Sequence, residues 1–219
     1  MSTIDRAFIV VDKGDDSIGG LQPKALMRFQ FIEGLLRISD AKYKETGIVS
    51  NHAEALEMLI KECIIAEYEW RPWQDFRNEQ LYTLAVTDTL AVNMGGIQKL
   101  VNAYKEPNKF GFKMADCMRL FTKDTESGIT EKDFYYCYGM SKMTIAKESD
   151  HHNKYFNVQM VEFLECICRA ADVRYAELIG ISLAEKIEYM LDELFKLIGF
   201  KRLDVNIEAE EQSVSDDEY

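Results

Sequence analysis

The sequence predicts a mainly α fold built around an internally duplicated helix–connection–helix module, and three observations carry that prediction. Residues 31–43, Phe-Ile-Glu-Gly-Leu-Leu-Arg-Ile-Ser-Asp-Ala-Lys-Tyr, return as residues 163–175, Phe-Leu-Glu-Cys-Ile-Cys-Arg-Ala-Ala-Asp-Val-Arg-Tyr. Phe31/Phe163, Glu33/Glu165, Arg37/Arg169, Asp40/Asp172 and Tyr43/Tyr175 are identical pairs, and Lys42/Arg174 keeps its charge. Further on, Asn51-His-Ala-Glu-Ala-Leu-Glu-Met-Leu-Ile-Lys-Glu aligns with Ser182-Leu-Ala-Glu-Lys-Ile-Glu-Tyr-Met-Leu-Asp-Glu, one residue out of step with the first match. Only 3 prolines and 12 glycines in 219 residues leave few obligatory turns and much room for helix.

Taken in order, residues 1–24 are the least regular. Ala7-Phe-Ile-Val-Val11 fits a short strand or a piece of helix, and residues 12–20 are a loop by composition. A helix over about 24–43 follows, its apolar positions Leu26, Phe29, Ile32, Leu35, Leu36 and Ile38 at helical spacing. Asn51 with Glu54 is a capping signature that opens a helix through about Ala66. Residues 67–78 are an aromatic connector holding both tryptophans. A long helix is predicted over about 79–105, with a break or kink at Gly95-Gly96. Short helices are expected at 114–121 and 130–145, the latter capped by Thr130 and Asp133. Residues 147–156 read as a polar loop, 158–175 as the second copy's first helix, and 183–200 as its last, opened by Ser182 and Glu185. The divisions are therefore an irregular N-terminal segment (1–24), a first helical module with its Trp-rich connector (25–78), a helical domain containing the second copy (79–202), and an acidic tail (203–219). The tail has too little apolar surface to fold alone and is expected to be disordered.

Composition excludes several functions. A formal net charge of −12 is the wrong sign for binding the phosphate backbone of nucleic acid, or an anionic membrane surface. No apolar run reaches the length of a bilayer span, and the first residues lack the layout of a secretory signal, so a cytoplasmic protein is expected. The five cysteines fit reduced thiols used as small core residues. Cys166 and Cys168, two apart on a helix, point about 200° apart, which favours core filling over a metal or redox pair. No nucleophile–base set and no phosphate-binding glycine loop is present, so no enzymatic activity and no cofactor is expected.

Residues 97–172 have the rhythm of two paired helix-loop-helix hands. Phe112 followed by Asp116, and Val158 followed by Glu162, have the offset between the apolar residue of a twelve-residue loop and its closing acid. On these residues the chain resembles the EF-hand, calmodulin-like superfamily. Leu26-Met-Arg-Phe-Gln-Phe-Ile-Glu, Trp73-Gln-Asp-Phe-Arg77 and Val161-Glu-Phe-Leu-Glu-Cys-Ile-Cys-Arg are also similar to a degenerate EF-hand family of flagellated and ciliated protists. That resemblance implies EF-hand-like helical pairs in a non-catalytic component of a ciliary axoneme or related cytoskeletal assembly. Its partners would be proteins of that assembly, with tubulin or axonemal proteins as candidates.

The ion chemistry departs from that pattern. Counting back from Asp116, the first, third and fifth loop positions are Lys105, Pro107 and Lys109; from Glu162 they are His151, Asn153 and Tyr155. Ca²⁺ takes about six to eight oxygens, several of them carboxylates, so Asp116 and Glu162 read as vestigial closing acids and no metal site is expected. Asp12, Asp15 and Asp16 lack a closing acid, and His151-His152 lacks a third ligand. The repeated Glu33/Arg37 and Glu165/Arg169 pairs have the spacing of intrahelical ion pairs, and their recurrence suggests a helix-packing role. Trp70, Trp73, Phe76 and Arg77 form the candidate contact surface, because Trp and Arg dominate binding hot spots. The expected function is thus a calcium-independent adaptor; the alternative is a calcium-responsive EF-hand protein that grips a target helix, which the 10 methionines favour.

Overall fold

The structure, a computed structural model, describes residues 2–12, 26–66, 73–105 and 112–201, without the side chains of Trp73 and Ser149. It is mainly helical, as the sequence predicts, and separates into two compact units. The described residues of Met1–Pro72 form the first together with Thr144–Lys154; those of Trp73–Met143 and Tyr155–Tyr219 form the second. Each unit contains one copy of the repeat.

In the first unit, the strand-or-helix alternative at Ala7–Val11 resolves to helix α1, Thr3–Asp12, with Ala7 and Val11 buried. Helix α2, Arg28–Ser39, runs on through a wide π turn, Asp40–Lys44, in which Glu45 N–H reaches back to the Asp40 carbonyl at 2.9 Å. Helix α3, His52–Leu59, continues likewise through Ile60–Ile65, and the Asn51 side chain accepts from Glu54 N–H at its start. The connection between them turns at Gly47, whose φ of 77° suits glycine. Helix α1 packs on α2, and α2 on α3, around Tyr43, Ala55 and Leu59. The first unit is completed by α8, Glu148–His151, whose Glu148 accepts from the Arg28 backbone N–H at 3.1 Å and covers the first turn of α2.

The second unit opens with α4, Trp73–Asp75, which widens into the π turn Phe76–Leu81. Helix α5, Leu84–Tyr104, follows; the chain then enters β1 (Phe112–Lys113), α6 (Met114–Thr122), α7 (Glu131–Ser141), β2 (Asn157–Val158), α9 (Met160–Arg174) and α10 (Leu183–Lys196). Thr130/Asp133 and Ser182/Glu185 form the reciprocal caps that the sequence suggests. Helix α9 is the axis of this unit. It packs on α7 and α10, and its residues Phe163, Cys166, Ile167, Cys168, Ala170 and Ala171 are all buried.

Four expectations change. The break in the long helix falls at Tyr82–Thr83, where Thr83 caps α5, and α5 runs unbroken through Gly95-Gly96. Gly96 is instead a packing position: a Cβ there would lie 2.6 Å from Phe195 Cζ and 2.7 Å from Phe200 Cε1. Residues 148–156 are not an open loop but α8 followed by a 3₁₀ turn, His152–Phe156. The second copy's first helix starts only at Met160, because Asn157-Val158 is taken up by strand pairing. Finally, residues 73–78, expected in the first module, group with the second unit.

The duplication holds at the helix starts. Under the alignment Phe31/Phe163, Arg28 and Met160 are equivalent and each opens its helix; under Asn51/Ser182, one residue out of step, His52 and Leu183 are equivalent and open the second helix of each copy. Equivalent Gln30 and Glu162 both turn back to cap the first helix, accepting from Met27 N–H at 2.9 Å and from Gln159 N–H at 2.8 Å. Gly180, with φ 85°, turns the second connection as Gly47 does the first.

Candidate functional site

Strands β1 and β2 pair antiparallel with Phe112 opposite Val158 and Lys113 opposite Asn157. The two residues singled out as the apolar members of the paired loops therefore face each other, and Phe112 packs edge-on against Phe163 with ring centroids 5.0 Å apart. Of the two closing acids, Glu162 is 3% exposed and fully engaged. Its Oε2 accepts from Lys142 Nζ at 2.6 Å and from Gln159 N–H, and its Oε1 accepts from Met143 N–H at 3.1 Å. Lys142 Nζ also donates to the Asn157 carbonyl at 2.6 Å. An ammonium group thus sits between the closing carboxylate and the carbonyl at the seventh loop position, two of the oxygens that a calcium loop offers its ion. Asp116 keeps a buried Oδ2 with no hydrogen-bond partner among the described residues. Among the described residues no group of three or more His, Cys, Asp or Glu could hold a metal ion, His151 and His152 included. Asp12 closes α1, while Asp15 and Asp16 lie outside the described residues.

The contact surface expected at Trp70–Arg77 is placed only in part. Trp70 lies outside the described residues, and Trp73 is helical backbone without a described side chain. Phe76 and Arg77 turn toward α9. Arg77 Nε donates to both oxygens of Glu165, at 2.9 and 3.1 Å, and its Nη2 to the Met140 carbonyl at 3.1 Å. Glu165 also accepts from Arg169 at 2.8 Å, and the Arg169 guanidinium lies 4.4 Å from the centre of the Phe76 ring. The repeated Glu/Arg pair is therefore a buried packing device in the second copy, with a second arginine and an aromatic ring closing it. In the first copy Glu33 and Arg37 pair at 2.7 Å on the surface.

Beside this network runs an apolar groove of about 320 Å³, lined by Leu81, Val86, Leu90, Met94, Val161 and Leu164. It lies along the earlier part of α5 against the start of α9, while α10 packs on α5 around Gly96. Val161 at its lip is 59% exposed and Leu84 beyond it 76%. Nothing in the periodicity marks this groove, since its residues have the same spacing as core residues.

A second feature missed by sequence reasoning is the setting of Cys63. The other four cysteines are buried, and burial raises the thiols of Cys137 and Cys168 above the ordinary range. Cys63 is half-buried and receives a hydrogen bond from Lys42 Nζ at 2.9 Å, which, with the Tyr43 hydroxyl at 3.6 Å, lowers its pKa. The signal was present in Lys42-Tyr43 of the repeated phrase, but only the fold of α2 onto α3 brings Cys63 to it.

No family model, curated protein or solved structure matches the chain. No helix among the described residues is long and apolar enough to cross a membrane.

Proposed function

We propose that this protein is a non-catalytic adaptor that seats an amphipathic helix of a partner protein in the α5–α9 groove, on an EF-hand-like scaffold that works without calcium. The observation that carries the reading is the groove itself: apolar side chains of α5, α9 and the preceding π turn line a surface groove of about 320 Å³, and an apolar groove between helices is what helix-in-groove recognition uses. A formal net charge of −12 favours a basic partner helix. Calcium independence is supported by Lys142, whose ammonium already meets the Glu162 carboxylate and the Asn157 carbonyl. Placement in a ciliary or other microtubule-based assembly rests on the resemblance of the short phrases alone.

Affinity capture from native material with the wild-type chain and with Leu90→Lys tests the groove. Partners identified by mass spectrometry should be retained by the wild type and lost by the variant; equal capture by both removes the groove from the reading. Recovery of metabolic enzymes with no cytoskeletal protein would remove the cytoskeletal placement. Calorimetry with Ca²⁺ at near-physiological salt should give no binding heat. Heat together with a far-UV circular dichroism change at micromolar ion would favour the calcium-responsive alternative instead.

A further inference from the structure

We infer that Cys63 and Lys42 form a redox modification site: a peroxide converts the Cys63 thiol to a sulfenic acid, and the Lys42 amine closes on it as a sulfenamide bridge. The site lies wholly within the first unit and is independent of the groove.

The folding of α2 onto α3 brings the pair together. Lys42 stands on the wide turn that ends α2, Asp40–Lys44, and Cys63 on the one that ends α3, Ile60–Ile65. Lys42 Nζ lies 2.9 Å from Cys63 Sγ, and reacting atoms held about 3–3.5 Å apart are already in near-attack geometry. Lys42 is exposed and Cys63 half-buried, so a small peroxide reaches the sulfur from solvent; the other four cysteines are buried. Buried Tyr43 anchors the contact, its hydroxyl donating to Glu62 at 2.8 Å and lying 3.6 Å from the sulfur. The duplication isolates the feature. Arg174 stands in the place of Lys42, and Leu194 in the place of Cys63 when the second match is carried one residue past Glu62/Glu193. A guanidinium does not give up its proton and leucine has no sulfur, so the second copy has no such pair.

The chemistry balances at the pair itself. The lysine hydrogen bond is the largest cause lowering the Cys63 pKa, and the same bond is the largest cause raising that of Lys42. The thiolate attacks one oxygen of hydrogen peroxide, forming an S–O bond as the O–O bond breaks; sulfur loses two electrons and the peroxide gains them. The departing hydroxide takes a proton from the Lys42 ammonium, which has lost the thiolate that stabilised it, and leaves as water. The free amine then attacks the sulfenic sulfur. An N–S bond forms, the S–O bond breaks, and the sulfenic hydroxyl leaves with one amine proton as a second water. Sulfenic acids condense with backbone nitrogen in the same way. The bond ties α2 to α3 in the unit with the smaller apolar cluster, and constrains its unfolded state as a disulfide would.

Hydrogen peroxide applied to the full-length chain, followed by trypsin and mass spectrometry, tests the site. Residues 38–44 should appear joined to residues 62–77, with a mass two hydrogens below their sum, and dithiothreitol should separate them. Lys42→Arg keeps the positive charge beside the thiolate but offers no amine. It should give no linked pair, and its Cys63 sulfenic acid should accumulate and label with dimedone more heavily than in the wild type. Hydrogen exchange of the α2 and α3 amides should slow about tenfold or more when the wild type is oxidised, recover with dithiothreitol, and stay unchanged in Lys42→Arg. An untouched Cys63, a wild-type Cys63 that stops at the sulfenic acid, a Cys63 disulfide between two copies of the chain, or linkage to a different lysine would each overturn the inference.

Discussion

At the scale of single residues, the most consequential side chain is Lys142. Its side chain is 6% exposed and that of Glu162 2%, so the pair is a charge couple held away from water. Breaking such a pair on one side leaves an uncompensated charge, at a loss of about 3–5 kcal/mol, whereas removing both partners loses much less. Lys142→Met should therefore destabilise the second unit by about that amount in chemical denaturation. The double variant Lys142→Met/Glu162→Gln should recover a good part of it, because the buried carboxylate charge is removed with the ammonium, while the amide oxygen can still accept from one of the Gln159 and Met143 N–H groups. If the two single losses simply add, the ammonium is not satisfying the closing acid. A lysine from outside the counted loop does this, which is why no loop pattern in the sequence reveals it.

Cys63 makes a prediction at the same scale. The lysine hydrogen bond favours the thiolate, the species that reacts with electrophiles, while the other four thiols are buried. Brief alkylation near neutral pH followed by peptide mapping should modify Cys63 first. Lys42→Ala removes the largest cause of its lowered pKa, so the pH at which Cys63 becomes reactive should move upward. Uniform labelling of all five, or no change in that pH on losing Lys42, would contradict the geometry.

At the scale of elements, the helix starts were legible in the sequence because capping is local chemistry. Asn51 with Glu54, Thr130 with Asp133 and Ser182 with Glu185 each involve groups three residues apart, and all three caps form. The strand pairing was not read from the sequence, although Phe112 and Val158, which it brings opposite each other, stand at matching offsets from Asp116 and Glu162. What local reasoning missed is set by distant contacts. Gly95-Gly96 reads as a breaker, yet Gly96 is small because Phe195 and Phe200 pack on it, and those residues stand on another element. Phe76 and Arg77 read as a surface by residue type, and only the fold shows them bound to the repeated Glu165 and Arg169. The two glycines should accordingly respond in opposite ways. Gly95 is exposed with nothing near its missing Cβ, so Gly95→Ala should stabilise by about 0.5–1 kcal/mol through helix propensity. Gly96→Ala drives a methyl into two aromatic rings and should destabilise by about 1–3 kcal/mol. Matching effects from the two would mean that α5 and α10 do not approach as closely as this.

At the scale of the whole molecule, the two copies of one sequence module live in very different surroundings. The second is enclosed: α9 is buried along most of its length and joins a core that includes Phe121, Phe134, Ile187, Leu191 and Leu194. Among the described residues the first has a much smaller set: the cluster Tyr43, Ala55 and Leu59, with Leu35, Ile38 and Met58 partly buried around it, and the further buried residues Ala7, Val11 and Met27. Since stability scales with the apolar area removed from water, at about 25 cal/mol per Å², the same helix pair should be far less stable in the first unit than in the second. Local opening follows such differences unit by unit. Hydrogen exchange should therefore show the amides of α2 and α3 opening at much lower free energy than those of α9 and α10, and urea should unfold the molecule in two separable steps. The sequence difference behind this is visible at single positions: Ala170 and Ala171 let neighbours approach α9 closely, where α2 has Ile38 and Ser39. A ligand that binds the native first unit should raise its protection by mass action and draw the two steps together, in proportion to ligand concentration over its dissociation constant. One cooperative transition in the unliganded chain, with equal protection in both copies, would show that the first module already has all the burial it needs.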